Sequence, residues 1–188
     1  FMAVRRKNFK SLNSQPILNI GPYFKLISES LEFELTKAQK KVLEEIRNDL
    51  KSKKPMNRLL QGDVSSGKTI VAILSSAIAV GNNFQVAIMA PTEILARQHY
   101  LSFIGQMNRA KVTCALLIGN MKKKERTSII SGIKSNKIQI IIGTHALIQE
   151  DVKFKKLNLV IIDEQHRFGV NQRASLVAKG ENLSLIHI

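Results

Sequence analysis

One segment of the chain combines glycines, a lysine and a hydroxyl residue at a spacing that can hold a polyphosphate. Gly62 to Thr69 reads Gly-Asp-Val-Ser-Ser-Gly-Lys-Thr, the pattern G-x-x-x-x-G-K-T, between an apolar strand-like stretch and an apolar helix-like one. Glycines let the backbone of such a loop aim its N–H groups inward, where the start of the following helix adds its positive dipole end. The sequence therefore predicts a binding site for a nucleoside triphosphate.

We expect all eight residues of this phosphate loop to contact the nucleotide. Lys68 is predicted to reach the terminal phosphates and to serve catalysis, and the Thr69 hydroxyl to ligate Mg²⁺. The other six are predicted to cradle the phosphates, and they are Gly62, Asp63, Val64, Ser65, Ser66 and Gly67. A chance glycine turn that caps a helix is the alternative, which the full pattern and its flanking segments disfavour.

A second candidate for chemistry lies where a buried strand-like run, Leu159 to Ile162, ends in two acids. Beside a phosphate loop, Asp163 is predicted to hold the hydration shell of Mg²⁺, and Glu164 to orient or deprotonate the attacking water. In the alternative interpretation, both acids only cap the next turn. Two matched motifs rarely occur together by accident, so the catalytic interpretation is favoured.

Alternating strand-like and helix-like segments must position these residues. The predicted strands are Arg58 to Gln61, Gln85 to Ala90, Val112 to Ile118, Ile138 to Gly143 and Leu157 to Ile162. The predicted helices are Leu35 to Leu50, Lys68 to Val80, Ile94 to Met107, Lys122 to Lys134 and a short one at His145 to Gln149. Continuous Val, Ile and Leu runs indicate strands covered on both faces, and the alternation indicates right-handed crossovers. We expect an α/β domain whose mostly parallel sheet has helices on both faces and binds its ligand at the carboxyl ends of the strands.

The charge of the chain indicates the kind of partner. Its 188 residues include 29 Lys and Arg against 14 Asp and Glu, for a formal net charge of +15. Such an excess favours a polyanion, nucleic acid first and an anionic membrane surface second, although general solubility is a further reason for basic composition. No apolar run approaches the roughly 20 residues that span a bilayer, so we expect a cytoplasmic protein without a membrane segment.

Four segments together resemble the superfamily 2 helicases and, among them, the RecG family of bacterial ATP-dependent DNA helicases, which remodel stalled forks and branched DNA. They are Gly62 to Thr69, Ala90 to His99, Gly143 to Gln149 and Asp163 to Val170. The resemblance covers about Phe33 to Gly180 and implies a RecA-like P-loop NTPase fold, ATP and Mg²⁺ as cofactors, and DNA as partner. Transcription-repair coupling factors share much of this but typically have Glu in place of Gln165. They remain an alternative, as does a module that binds nucleotide and nucleic acid without catalysis.

The resemblance also implies roles for residues outside the two motifs. Gln39 is implied to recognise adenine, although Thr36 to Gln39 is also a Thr-x-x-Gln capping box that needs no ligand. Five residues are implied to border the nucleic-acid track: Pro91, Thr92, Glu93, Thr144 and His145. Thr92 is equally well explained as a helix N-cap, and His145 as a residue that packs the turn. Gln165 and His166 are implied to couple the nucleotide site to the DNA.

The domain organisation follows from the extent of the resemblance. Residues 1–30 are interpreted as a linker or the remnant of a preceding domain, and residues 31–188 as a helicase ATP-binding domain truncated at its C-terminal end. The segment Glu181 to Ile188 matches neither the coupling motif nor the second motor domain of the family. A second RecA-like domain and a wedge domain are thus expected elsewhere in the whole protein, and the 188 residues alone are expected to hydrolyse ATP poorly.

Overall fold

The computed structural model describes residues 14–63, 66–180 and 183–188, which form one parallel sheet with helices on both faces. The strands are β1 (Asn57–Leu59), β2 (Gln85–Met89), β3 (Cys114–Leu117), β4 (Ile140–Gly143), β5 (Leu157–Ile162) and β6 (Ser184–His187). The α-helices are α1 (Pro22–Glu29), α2 (Lys37–Leu50), α3 (Lys68–Gly81), α4 (Glu93–Met107), α5 (Lys123–Lys134) and α6 (Val170–Val177). Short 3₁₀ turns occupy Asn108–Ala110, His145–Ile148 and Gln165–Arg167.

The six strands lie in the order β1-β6-β5-β2-β4-β3, and every neighbouring pair is parallel. The five strands and four longer helices expected from the sequence are all present. Each strand begins and ends within a few residues of its predicted bounds. The short helix predicted at His145 to Gln149 is instead a 3₁₀ turn. The prediction of a parallel α/β sheet with its helices on both faces is confirmed.

The hydrophobic core is divided in two by the sheet, because successive side chains of a strand point to opposite faces. On β2, Val86 and Ile88 join one cluster, which includes the helix α3, whereas Ala87 and Met89 join the other. All five residues of β2 and all six of β5 are buried, which explains why these strands are continuous apolar runs. Burial on both faces is typical of central strands in a parallel sheet.

Helix α3, which follows the phosphate loop, is buried along almost its whole length. Every residue from Ile70 to Val80 is buried, because α1, α2 and α4 pack around the helix and its remaining side faces the sheet. A helix that is apolar all round belongs in the centre of a domain. Among the described residues, no helix combines the length and the apolar character needed to cross a bilayer.

Helix α1 lies within residues 1–30, for which the sequence predicts a linker or the remnant of a preceding domain. Gly21 and Pro22 start the helix, and Pro22 occupies its first turn, where a missing N–H costs nothing. Gly21 has a positive φ of 75°, and a Cβ on it would lie 2.9 Å from the Cα of Gly81. The two glycines thus let α1 pack against the end of α3, with Ile27 fully buried.

Strand β6 was also not predicted. It lies between β1 and β5, with Leu185 paired to Asn57 on one side and Val160 on the other. Ile186 is fully buried there. The segment from Glu181 to Ile188 therefore contributes a strand to the sheet over its described part.

Candidate nucleotide and nucleic-acid site

The carboxyl ends of all the strands lie at one edge of the sheet, because the strands run in the same direction. Met89 at the end of β2 pairs with Gly143 of β4 and with Ile162 of β5. Backbone hydrogen bonds extend the pairing by one residue, since Ala90 N–H donates to Gly143 O and Asp163 N–H to Met89 O, each at 2.9 Å. The loops that follow β2, β4 and β5 therefore begin at the same level.

Two glycines of the phosphate loop occupy positions where a side chain does not fit. Gly67 has a φ of 78°, in the left-handed region, and forms the N-cap of α3. A Cβ on Gly67 would overlap Nε2 of Gln39, and a Cβ on Gly62 would lie 2.7 Å from Oγ of Ser66. Gly67 therefore has a backbone conformation that L side chains rarely adopt, and at both glycines a neighbouring side chain would have to move to admit a Cβ.

The ammonium group of Lys68 is held by the loop itself. Its Nζ donates to the carbonyl oxygens of Gly62 at 2.6 Å and Asp63 at 2.8 Å. Among the described residues, no side chain caps the N-terminus of α3, so its first N–H groups can serve a phosphate. Thr69 is half-buried in the first turn of that helix. Residues 64–65 of the predicted loop, Val64 and Ser65, lie outside the described part of the chain.

The side chain of Gln39 connects the start of α2 with the phosphate loop. Its Oε1 accepts from the backbone N–H of Thr36 at 2.9 Å. The backbone N–H of Gln39 donates to Thr36 Oγ1 at 3.2 Å, so the capping box is formed. Its Nε2 donates to the carbonyl oxygen of Ser66 at 3.1 Å. The oxygen of the amide therefore serves the cap and the nitrogen serves the loop, and only the oxygen is needed for capping.

The carboxylate of Asp163 contacts a histidine from a different element. Nε2 of His99, on α4, lies 2.7 Å from Oδ2 of Asp163, and the two side chains are only 16% and 14% exposed. An ionised carboxylate can only accept, so Nε2 donates this hydrogen bond. Asp163 is therefore fixed in orientation at the end of β5, one residue beyond the sheet.

Glu164 and the residues after it form a tight turn at the surface. Glu164 has a φ of 48°, in the left-handed region, and its Oε2 accepts from Arg167 Nε at 2.7 Å. Gln165 Oε1 lies 3.4 Å from Nη1 of Arg173, and His166 is exposed. Strained backbone of this kind is concentrated at active sites.

The segment after β2 caps α4 and leaves its first turn at the surface. Thr92 is the N-cap, and its Oγ1 accepts from the Leu95 N–H at 3.2 Å. Glu93 Oε1 accepts from the backbone N–H of Asn120 at 3.3 Å, and Pro91 is half-buried. Thr92 is exposed, so its role as an N-cap leaves a further contact to its hydroxyl open.

The two residues after β4 that are predicted to contact nucleic acid differ in their exposure to solvent. Thr144 is only 2% exposed, and its Oγ1 has no hydrogen-bond partner among the described residues. His145 is exposed and lies near Gly119, where an added Cβ would be 3.9 Å from Nε2 of the histidine. In this conformation His145 is at the surface and Thr144 lies beneath it.

Comparison with known proteins identifies the family. The family model described as DEAD/DEAH box helicase matches residues 36–185. The chain belongs to this helicase family. It is 56% identical over 153 residues to the ATP-dependent DNA helicase RecG of Thermotoga maritima, which covers 81% of this chain and 20% of that protein. It is 50% identical over 169 residues to the RecG of Aquifex aeolicus, which covers 89% of this chain and 21% of that protein. The chain thus spans about a fifth of the length of these relatives.

Solved helicase structures agree with the fold. A structure of RecG bound to a three-way DNA junction is 46% identical and has a TM-score of 0.86, covering 98% of this chain and 25% of its own. Dbp5 of S. cerevisiae, 19% identical, has a TM-score of 0.69 and covers 90% of this chain and 46% of its own, which shows the fold alone. The RecA-like helicase fold and the resemblance to RecG are both confirmed.

Three contacts of this helicase domain were missed from the sequence. They are the bond of His99 to Asp163, the ion pair of Arg167 with Glu164, and the contact of Asn120 with Glu93. Only the pair Glu164 and Arg167, three residues apart, had a local signal. The other two join segments 64 and 27 residues apart in the chain, and no periodic pattern connects them.

Proposed function

We propose that this chain is the ATP-binding motor domain of a RecG-type ATP-dependent DNA helicase or translocase, which acts on branched DNA in fork rescue, recombination and repair. What carries the proposal is that the phosphate loop, the acids after β5 and the segments after β2 and β4 converge at one edge of the sheet. The similarity to RecG over four fifths of the chain supports the choice of DNA. The second RecA-like domain and the wedge domain would be partners in the whole protein.

The residues at this edge fit ATP and Mg²⁺. The close-packed glycines of the loop leave a backbone cradle of the kind that binds phosphate, and Lys68 supplies a cation inside it. Thr69 and Asp163 provide a hydroxyl and a carboxylate, and oxygen is the donor that Mg²⁺ prefers. A magnesium ion bound there would neutralise charge on the terminal phosphates.

The side chains divide the work of hydrolysis between them. Lys68 exchanges its two loop carbonyls for phosphate oxygens and stabilises the charge of the transferred group. Asp163 would hold Mg²⁺ through its carboxylate, and Glu164 would orient the attacking water and accept its proton. Gln165 and His166, on the turn that follows, would transmit the state of the nucleotide to the DNA.

The alternatives differ from this proposal in measurable ways. A transcription-repair coupling factor would carry a polymerase-interaction domain in its whole sequence and typically Glu in place of Gln165. A module that only binds nucleotide and nucleic acid would show no ATP hydrolysis stimulated by branched DNA. Measuring ATP hydrolysis by the whole protein with and without a three-way DNA junction therefore tests the proposal directly.

Replacing Lys68 with Ala is expected to weaken ATP binding by about 10–150-fold, because a hydrogen bond to a charged group contributes roughly 1.5–3 kcal/mol. Equilibrium titration of the chain with a fluorescent ATP analogue measures the loss. Lys137→Ala is the matched control, since Lys137 is exposed and precedes β4 at the opposite edge of the sheet. Unchanged affinity in Lys68→Ala would contradict the assignment of the phosphate loop.

Replacing Gln39 with Glu separates capping from adenine recognition. Glutamate keeps an acceptor for the Thr36 N–H, so the melting temperature should stay near that of the wild type. It lacks the N–H donor, so the preference for ATP over 7-deaza-ATP, whose base lacks the N7 acceptor, should fall by about 2–13-fold, the value of one neutral hydrogen bond of roughly 0.5–1.5 kcal/mol. Both nucleotides carry the same phosphates, which cancels the effect of the added charge. An unchanged preference would exclude adenine recognition by Gln39 and would limit its side chain to the helix cap and the phosphate loop.

A further inference from the structure

The hydrogen bond between His99 and Asp163 joins two parts of the site that the family motifs treat separately. His99 lies on α4, which follows β2, and Asp163 directly follows β5. The bond is 2.7 Å long, and both side chains are largely buried. A short bond to a carboxylate in a poorly hydrated place is stronger than one at the surface.

The position of His99 on its helix connects the bond to the first turn of α4. His99 is seven residues from the N-cap Thr92, which is two turns or about 10 Å along the helix axis. Between and beyond them, Ala96, Phe103 and Met107 are fully buried, so α4 is anchored to the core as a rigid element. Glu93, in the first turn, also holds the loop at Asn120. His99 therefore keeps a fixed place relative to the first turn of α4.

We propose that His99 is a positioning residue that fixes the orientation of the Asp163 carboxylate towards Mg²⁺ and makes that orientation depend on the placement of α4. The inference rests on the proposed function, because it requires a nucleotide and metal at this edge. A hydrogen bond to Oδ2 restricts rotation of the carboxylate, so the metal meets an oriented ligand instead of a rotating one. Partners of this kind are typically worth about 10–100-fold in metal affinity.

Two substitutions of His99 distinguish positioning from simple packing. His99→Leu fills the space but removes the donor, whereas His99→Gln keeps an N–H donor at a similar reach. Leu101→Ala is the control on the same helix, because Leu101 is 66% exposed. The probe is Mn²⁺ in place of Mg²⁺, whose binding to the chain with a non-hydrolysable ATP analogue is followed by electron paramagnetic resonance. Nucleotide affinity in EDTA and the melting temperature are measured in parallel.

We expect His99→Leu to lower Mn²⁺ affinity by about 10–100-fold, with nucleotide affinity in EDTA unchanged, and His99→Gln to recover most of the loss. An equal loss in both variants, or a loss that follows the melting temperature, would overturn the inference in favour of packing. Wild-type Mn²⁺ affinity in His99→Leu would overturn it as well. If the wild-type chain binds no nucleotide in EDTA or with metal, the proposed function itself fails, and the inference with it.

Discussion

A Glu164→Gln variant of the whole helicase is expected to hydrolyse ATP about 10²–10⁴-fold more slowly than the wild-type protein while binding ATP equally well, because this is the usual contribution of a positioned general base. Glutamine has the same shape as glutamate but cannot accept the proton of water. Glutamine can adopt the φ of 48° at position 164 as readily as glutamate does. The loss should therefore be chemical and not structural.

The ion pair with Arg167 does not weaken this expectation. The Arg167 and Glu164 side chains are 58% and 39% exposed, so their attraction is screened by water and contributes little to stability. Removing the charge of Glu164 should leave the melting temperature nearly unchanged. Arg167 then loses its partner at little cost in stability, because its side chain is exposed to water.

The measurement is the steady-state rate of ATP hydrolysis with saturating branched DNA, with ATP affinity measured separately. Glu150→Gln is the matched control, since Glu150 is exposed in the loop before β5. A Glu164→Gln rate within a few-fold of the wild type would assign the base to another group. Lost ATP binding would instead indicate that Glu164 supports the loop.

Long apolar runs and local motifs made most of the fold predictable from the sequence. Strands β2 and β5 are buried on both faces, so their side chains leave an uninterrupted apolar signal. The phosphate loop is local because its glycines, lysine and threonine act within eight consecutive residues. These features depend on neighbours in the sequence, and the strands and the helix after the loop lie where the sequence predicts them.

Elements that depend on distant partners were not predictable in the same way. Strand β6 is only four residues long and is a strand because β1 and β5 lie on either side of it. Helix α1 contains a single fully buried residue, Ile27. It starts at Gly21 and Pro22, and glycine and proline also occur in irregular segments. Short elements of this kind are specified by tertiary packing more than by propensity.

Gln39 illustrates the same limit within the site. The sequence indicated that capping and adenine recognition compete for one amide, because Thr36 and Gln39 form a local motif. In the structure Oε1 serves the cap, and Nε2 donates to the carbonyl of Ser66, 27 residues away in the chain. Only the long-range contact reveals that the donor end of the amide reaches the phosphate loop.

The purified 188-residue chain is expected to hydrolyse ATP about 10³–10⁵-fold more slowly than a protein that also contains the second motor domain, the range that an arginine finger supplies. Three arginines in the described ranges already neutralise carboxylates. Arg58 pairs with Glu45 and Asp49, Arg126 with Asp151, and Arg167 with Glu164. The resemblance to the helicase family implies that a guanidinium for the terminal phosphate comes from the second domain.

This deficit should appear in the rate and not in binding, because the phosphate loop, Thr69 and Asp163 all lie within the chain. The test compares the turnover number and the ATP affinity of the chain with those of the whole protein, both with branched DNA. Turnover by the chain at the rate of the whole protein would place the missing cation within these residues, and Arg97 and Arg173, which form no ion pair in the described structure, would be the first to replace with alanine. A chain that binds ATP but turns it over slowly is instead one half of a catalytic site, in which DNA binding can control hydrolysis by bringing the two motor domains together.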